Sequence, residues 1–173
     1  MVGIVAYPIV AQAGEVNCTF PQEDPSNKKK IVTLNSMGIK ISIPSNYRSM
    51  ARGDGSIDLV DNGTFQMFDC LVNNPEGVGG RGYNSINIYK SKAKKLFSNS
   101  ESFEVVPNQP NMRVIWQQHG EEHDLSYSVK LRIKTKKGLI EVEQTLFEVL
   151  IGTDGVKNKI DEMIEIASLI DIL

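Results

Sequence analysis

Leu125 to Thr135 alternates so strictly that few conformations remain open to it. Leu125, Tyr127, Val129, Leu131 and Ile133 are apolar, and polar residues fill every position between them. Side chains of a strand point alternately to opposite faces, so this stretch is expected to be a half-buried strand with one wet face. The turn Thr135-Lys136-Lys137-Gly138 follows, with glycine where the chain can need a positive φ. A second strand then runs from Leu139 to about Val149.

The side chains also set the register. Pairing Ile133 with Ile140 puts Leu131 opposite Val142, Tyr127 opposite Leu146, Arg132 opposite Glu141 and Lys130 opposite Glu143. A slip of one residue would set Ile133 against Glu141 and mix the two faces. The stripe Ser126, Ser128, Lys130, Arg132, Lys134 therefore reads as a solvated sheet face with acidic neighbours, not as a nucleic-acid surface. The formal net charge of -2 agrees, since nucleic-acid binders carry a basic excess.

Met112, Val114 and Trp116 alternate with Arg113, Ile115 and Gln117, which adds a third strand before the loop His119–Asp124. A closing helix is expected after Thr153 or Asp154. Its apolar face would comprise Val156, Ile160, Met163, Ile164, Ala167 and Ile170, widened by Ile166, Leu169, Ile172 and Leu173. On that reading Asp171 opposes the helix dipole.

Upstream, Ile31–Leu34 and Ile39–Ile43 should form a hairpin, and Ser45–Met50 one helical turn. Ile57–Val60, Phe65–Val72, Ser85–Tyr89 and the stretch around Phe103 and Val105 are further strand candidates. Lys90–Phe97 reads as a short basic helix. Residues 1–13 end in Ala11-Gln12-Ala13 after an apolar run. They read as a signal-peptide remnant without its basic start, or as an N-terminal strand. Residues 14–30 read as a polar tether and 31–173 as a single α+β domain. Export would allow Cys18 and Cys70, the only cysteines, to form a disulfide; a cytosolic chain would keep two thiols.

Several motifs tempt. Gly77-Val78-Gly79-Gly80-Arg81-Gly82 spells G-x-G-x-x-G, yet a strand pattern follows where a dinucleotide site needs a helix, so a loop is expected. His119-Gly120-Glu121-Glu122-His123 spells H-x-x-E-H, but the metalloprotease version requires a helix, and glycine between two strand patterns indicates a hairpin loop. His119 and His123 with a carboxylate could still hold a surface divalent metal. Arg52-Gly53-Asp54 lies in a turn. Asn17-Cys18-Thr19 and Asn62-Gly63-Thr64 are glycosylation sequons by spelling alone.

Gly38-Ile39-Lys40-Ile41-Ser42-Ile43-Pro44-Ser45-Asn46-Tyr47 resembles the opening of PsbP-like domains, and the order of later elements over 31–173 agrees. The resemblance implies an α/β/α sandwich: a central antiparallel sheet flanked by helices, with a long C-terminal amphipathic helix. It also implies a non-catalytic, exported accessory role; some immunity proteins follow a similar plan. The functional expectation is thus a periplasmic or secreted non-enzymatic module that binds another protein, as an accessory subunit or an immunity-type inhibitor. Loops 74–83 and 118–124 would make the contact through Glu76, Arg81, Tyr83, Trp116, Glu121 and Glu122. No cofactor, nucleic-acid partner or transmembrane segment is expected. The alternatives are a metal-dependent hydrolase, or metal-binding protein, using His119 and His123, and a carrier of a small ligand between sheet and helix.

Overall fold

The computed structural model describes residues 16–99, 101–119, 126–145 and 152–173. In chain order the elements are β1 Lys29–Leu34, β2 Ile39–Pro44, β3 Tyr47–Ala51, β4 Ile57–Asp61, α1 Asn62–Asn73, β5 Ser85–Lys90, β6 Ser102–Val105, β7 Met112–His119, β8 Ser126–Thr135, β9 Gly138–Thr145, α2 Gly152–Ser168 and β10 Ile170–Ile172. Among the described residues the strands form two antiparallel sheets. One has the order β1-β2-β10, the other β3-β4-β5-β9-β8-β7-β6. The protein is therefore of mixed α+β class with a C-terminal helix.

The β8–β9 register is the one the side chains demand. Ile133 faces Ile140, Leu131 faces Val142, Arg132 faces Glu141 and Lys130 faces Glu143. Gly138 takes a φ of 114° after the Lys136-Lys137 turn. The proposed partner of Tyr127, Leu146, lies outside the described residues. Val129, Leu131 and Ile133 are buried together with Val114, Met112, Ile140, Val142 and Ile88. Against that face α2 lays Val156, Met163, Ile166 and Ala167, and the small sheet adds Ile39, Ile41 and Ile43 to the same core.

The opposite face, expected to be wet throughout, is wet only in part: Lys134 and His119 are exposed, but its centre is not. Arg132 is 3 % exposed and Glu141 5 %. The segment between β5 and β6 lies across them. Arg132 donates through Nε to Glu141 at 2.8 Å and through its two terminal nitrogens to both oxygens of Glu101 at 3.0 and 2.9 Å. Ser91 Oγ donates to Glu141 at 2.8 Å. Lys130 Nζ lies 3.2 Å from Glu141, not on the Glu143 opposite it. Glu143 accepts instead from Tyr89 Oη at 2.5 Å. The backbone register is as read; Arg132 pairs with the Glu141 opposite it, while Lys130 pairs diagonally.

Four local expectations fail, each for a physical reason. Ser45–Met50 is not helical, because Tyr47–Ala51 pairs with β4 from Tyr47↔Asp61 to Ala51↔Ile57. Phe65–Val72 is helical, not a strand. Asp61 caps α1 by accepting from Thr64 N at 3.0 Å, and that cap outweighs the aromatic content. Lys90–Phe97 is not a helix: the carbonyls of Lys95 and Leu96 are turned toward Arg132, 3.5 and 3.4 Å from its Nη1. The closing helix stops at Ser168. Ile170–Ile172 pair with β2, Ile170 opposite Ile41 and Ile172 opposite Ile39, so Asp171 sits in a strand and opposes no helix dipole. The residues expected to cap α2 lie at its start, where side chains are not described.

Residues 17–28, within the 14–30 stretch expected to be a tether, are bound along the domain. The Glu23 N–H donates to Asp61 at 3.0 Å and the Ser26 N–H to Asn46 at 2.9 Å. Cys18 is fully buried and bonded to Cys70. The bridge spans a sequence separation of 52, which contributes about 4 kcal/mol in the chain-entropy model.

Two predictions follow from these ties. Cys70→Ser paired with Cys18→Ser should lower the unfolding free energy by about 4 kcal/mol in denaturant titration, and reductant should reproduce the loss in the parent. The second concerns Arg132. Its hydrogen bonds hold the Glu101 carboxyl below the usual 4.5. Burial pushes Glu141 up, but bonds from Ser91 and Arg132 outweigh this and hold it below 4.5 as well. Both contributions are complete above the ordinary carboxyl value and drain away as pH falls below it. Arg132→Met should cost about 3–5 kcal/mol at neutral pH. The deficit should shrink in acid, where Glu141 protonates, as read from melting curves between neutral pH and the carboxyl range.

Candidate functional site

The pairing Ser85↔Thr145 and the pairing His119↔Ser126 lie toward the same end of the large sheet. Loop 74–83 enters β5 there, and β7 runs out there toward residues 120–125. Two strands, β9 and β8, separate β5 from β7, which at ordinary strand spacing is roughly 14 Å. Loop 74–83 and the described end of β7 thus lie at one end of the sheet, about three strand spacings apart.

Within loop 74–83 the expected contact residues divide. Glu76 is exposed. Arg81 is committed inward: Nε donates to the Phe20 carbonyl at 3.0 Å and Nη2 to Thr64 Oγ1 at 2.9 Å, while Nη1 reaches Gln22 Oε1 at 3.4 Å. Arg81 therefore clamps the N-terminal strap onto the start of α1. Burial would raise the Asp61 carboxyl beneath it, but hydrogen bonds from Thr64 and Glu23, with the Arg81 charge nearby, hold it low. Tyr83 stands edge-on to Phe68 at 5.0 Å and accepts from Arg52 Nη2 at 2.8 Å. Arg52 in turn pairs with buried Asp58.

Gly77 and Gly79 of this loop serve packing. Cys18 N donates to Val78 O at 2.7 Å and Val78 N to Val16 O at 2.9 Å, making a short parallel bridge. A Cβ on Gly79 would lie 2.8 Å from the Cys18 carbonyl carbon. Strand β5 follows, so the helix a pyrophosphate site requires is not there.

Trp116 and His119 do not share a surface. Alternation along β7 puts Trp116 and Gln118 on the α2 side and Gln117 and His119 on the other. The exposed His119 ring bonds Ser128 Oγ at 2.9 Å. Glu121, Glu122 and His123 lie outside the described residues. Among the described residues no cluster of three His, Cys, Asp or Glu is placed to hold a metal.

On the α2 side lies a cleft of about 440 Å³ that the sequence alone did not reveal. Its walls are Trp116, Gln118 and Tyr127 from β7 and β8, with Val156, Lys157 and Ile160 from α2. Trp116, Tyr127 and Ile160 rest partly buried on the core. Tyr127 Oη donates to Gln118 at 3.4 Å, and Lys157 pairs with Asp161 at 3.0 Å on the exposed rim. Apolar walls with a few polar groups at the lip can take a side chain of a partner or a small apolar molecule. Trp116 was singled out by the sequence and lines the cleft; Tyr127 read only as a core position, because the cleft depends on where α2 starts.

No family model, curated protein or solved structure matches this chain. Among the described residues no helix is long and apolar enough to cross a membrane.

The placement of Arg81 yields a prediction. Arg81→Ala should cost about 1–3 kcal/mol through its unpaired acceptors, and hydrogen exchange should speed up at Glu23 and Thr64. Unchanged exchange at both amides would free Arg81 for the surface role first expected of it.

Proposed function

We propose that this chain is an exported, non-enzymatic protein-binding module that seats an apolar side chain of its partner between Trp116 and Tyr127. The observation that carries the reading is the cleft itself: two aromatic rings on rigid strands, an apolar helix wall, and a polar rim of Gln118 and Lys157. Aromatic anchors of this kind dominate interface energetics when a pocket desolvates them. Export is supported by the Cys18–Cys70 disulfide, a bond that persists in oxidising compartments. Periplasmic or secreted location and an accessory or immunity-type role belong to the same reading. So does the PsbP-like α/β/α plan. In its favour, α2 packs against β7 and β8 on one face of the large sheet, while Phe65 and Phe68 of α1 meet Arg48 and Arg52 on the other.

A second reading uses the same cleft for a small apolar ligand, because its volume falls within the range such sites have. The metal-dependent hydrolase gains nothing from His119, which turns to Ser128.

Trp116 is the sole tryptophan, so its emission reports on the cleft. A photoreactive group at position 118, in protein expressed in its native host, should crosslink one stoichiometric polypeptide. Lys157→Glu with Gln118→Arg should abolish partner binding with no change in melting temperature. An apolar dye that shifts Trp116 emission in the absence of any crosslinked chain would favour the small-ligand reading. Equal crosslinking from a group placed at Lys40, on the small sheet, would sink both.

A further inference from the structure

We propose that the outer edge of β6 accepts an extended, acidic segment of a partner protein as an additional strand of the large sheet. This surface is separate from the cleft and does not rest on it.

Strand β6 ends the sheet order and, among the described residues, pairs only with β7. Its outer edge therefore presents backbone donors and acceptors that have no strand to meet. All four residues, Ser102 to Val105, are exposed. Proteins usually blunt such an edge with a proline, an inward-pointing charge or a covering element. Here the strand itself contains no proline; Glu104 stands opposite Val114 on the α2 side but is exposed, and Phe103 and Val105, 37 % and 54 % exposed, share the other face with Ile115 and Arg113.

Phe97 extends the apolar surface. It is 38 % exposed and lies 4.6 Å, centroid to centroid, from Phe103. Alternate side chains of an incoming strand would fall on this platform, which is how strand addition gains specificity beyond its backbone bonds. A hollow of about 570 Å³ lined by Lys95 to Asn99 adjoins it.

The charge of the occupant follows from the surroundings. Lys95, which lines that hollow with Phe97, and its chain neighbour Lys94 are exposed, and among the described residues neither has a carboxylate within ion-pair distance. Glu101, the nearest acid in sequence, is already taken by Arg132. Arg113 stands 5.7 Å over the Phe97 ring, and its buried Nε has no hydrogen-bond partner. Glu104 is the one opposing charge on the strand. A segment alternating apolar and acidic residues fits both the platform and the cations, which would also speed its association at low salt.

The test uses the intact protein with its disulfide and a short peptide alternating glutamate and valine. Amide shifts in NMR titration should concentrate at Ser102–Val105 and saturate. Replacing the peptide glutamates with lysines should weaken binding by about tenfold or more, and so should methylating alternate peptide amides. Phe103→Asp should abolish binding at an unchanged melting temperature, and Val105→Thr should weaken it without unfolding risk. Equal affinity for the lysine peptide, or shifts confined to the Trp116 cleft, would overturn the proposal. Concentration-dependent dimerisation that Phe103→Asp removes would also overturn it, by making a second copy of this chain the occupant.

Discussion

The arrangement of this protein depends on one guanidinium taken out of water. Arg132 lies in the middle of a sheet face and is satisfied on three sides, by Glu141 from the neighbouring strand and by both oxygens of Glu101. Burying a charge is costly unless every donor finds an acceptor. The chain meets that demand by bringing the segment between β5 and β6 across the sheet. The path of residues 91–101 is thus set by what Arg132 needs. It also holds Phe97 beside Phe103.

That same interaction explains where the sequence was readable. The β8–β9 register was legible because an odd slip would mix the faces of Ile133 and Leu131, and the Thr135–Gly138 turn sets the rest. Whether the polar side would be wet was not legible, because Arg132 and Glu141 look alike whether solvent or another segment covers them. Lys90–Phe97 carried good helix formers, yet local propensity lost to the carbonyl demand of a distant side chain. Phe65–Val72 misled in the other direction: its aromatic residues suggested a strand, while the Asp61–Thr64 cap lay just upstream. At the site, Trp116 could be picked out as a rare aromatic on a strand. Its partners Val156 and Ile160 could be placed on a helix face, but their meeting with Tyr127 could not, since nothing local fixes how a helix lands on a sheet.

A second set of ties holds the N-terminal strap. Cys18 is bonded to α1 through Cys70 and to loop 74–83 through Val78, while Arg81 joins Phe20 to Thr64. Residues that look like surface recognition groups in a list are here the stitching between strap, helix and loop. The surfaces those ties do not use are the two proposed for recognition: the aromatic cleft on one face of the sheet and the edge of β6.

The small sheet imposes an order in time. Its middle strand, β2, is flanked by β1 a few residues upstream and by β10, which is made long afterwards. During synthesis the hairpin of β1 and β2 must wait with one side open until Ile170–Ile172 emerge, so this layer can close only after the large sheet and α2 have been produced. Until those three residues are made, one side of β2 has no strand of its own sheet to meet.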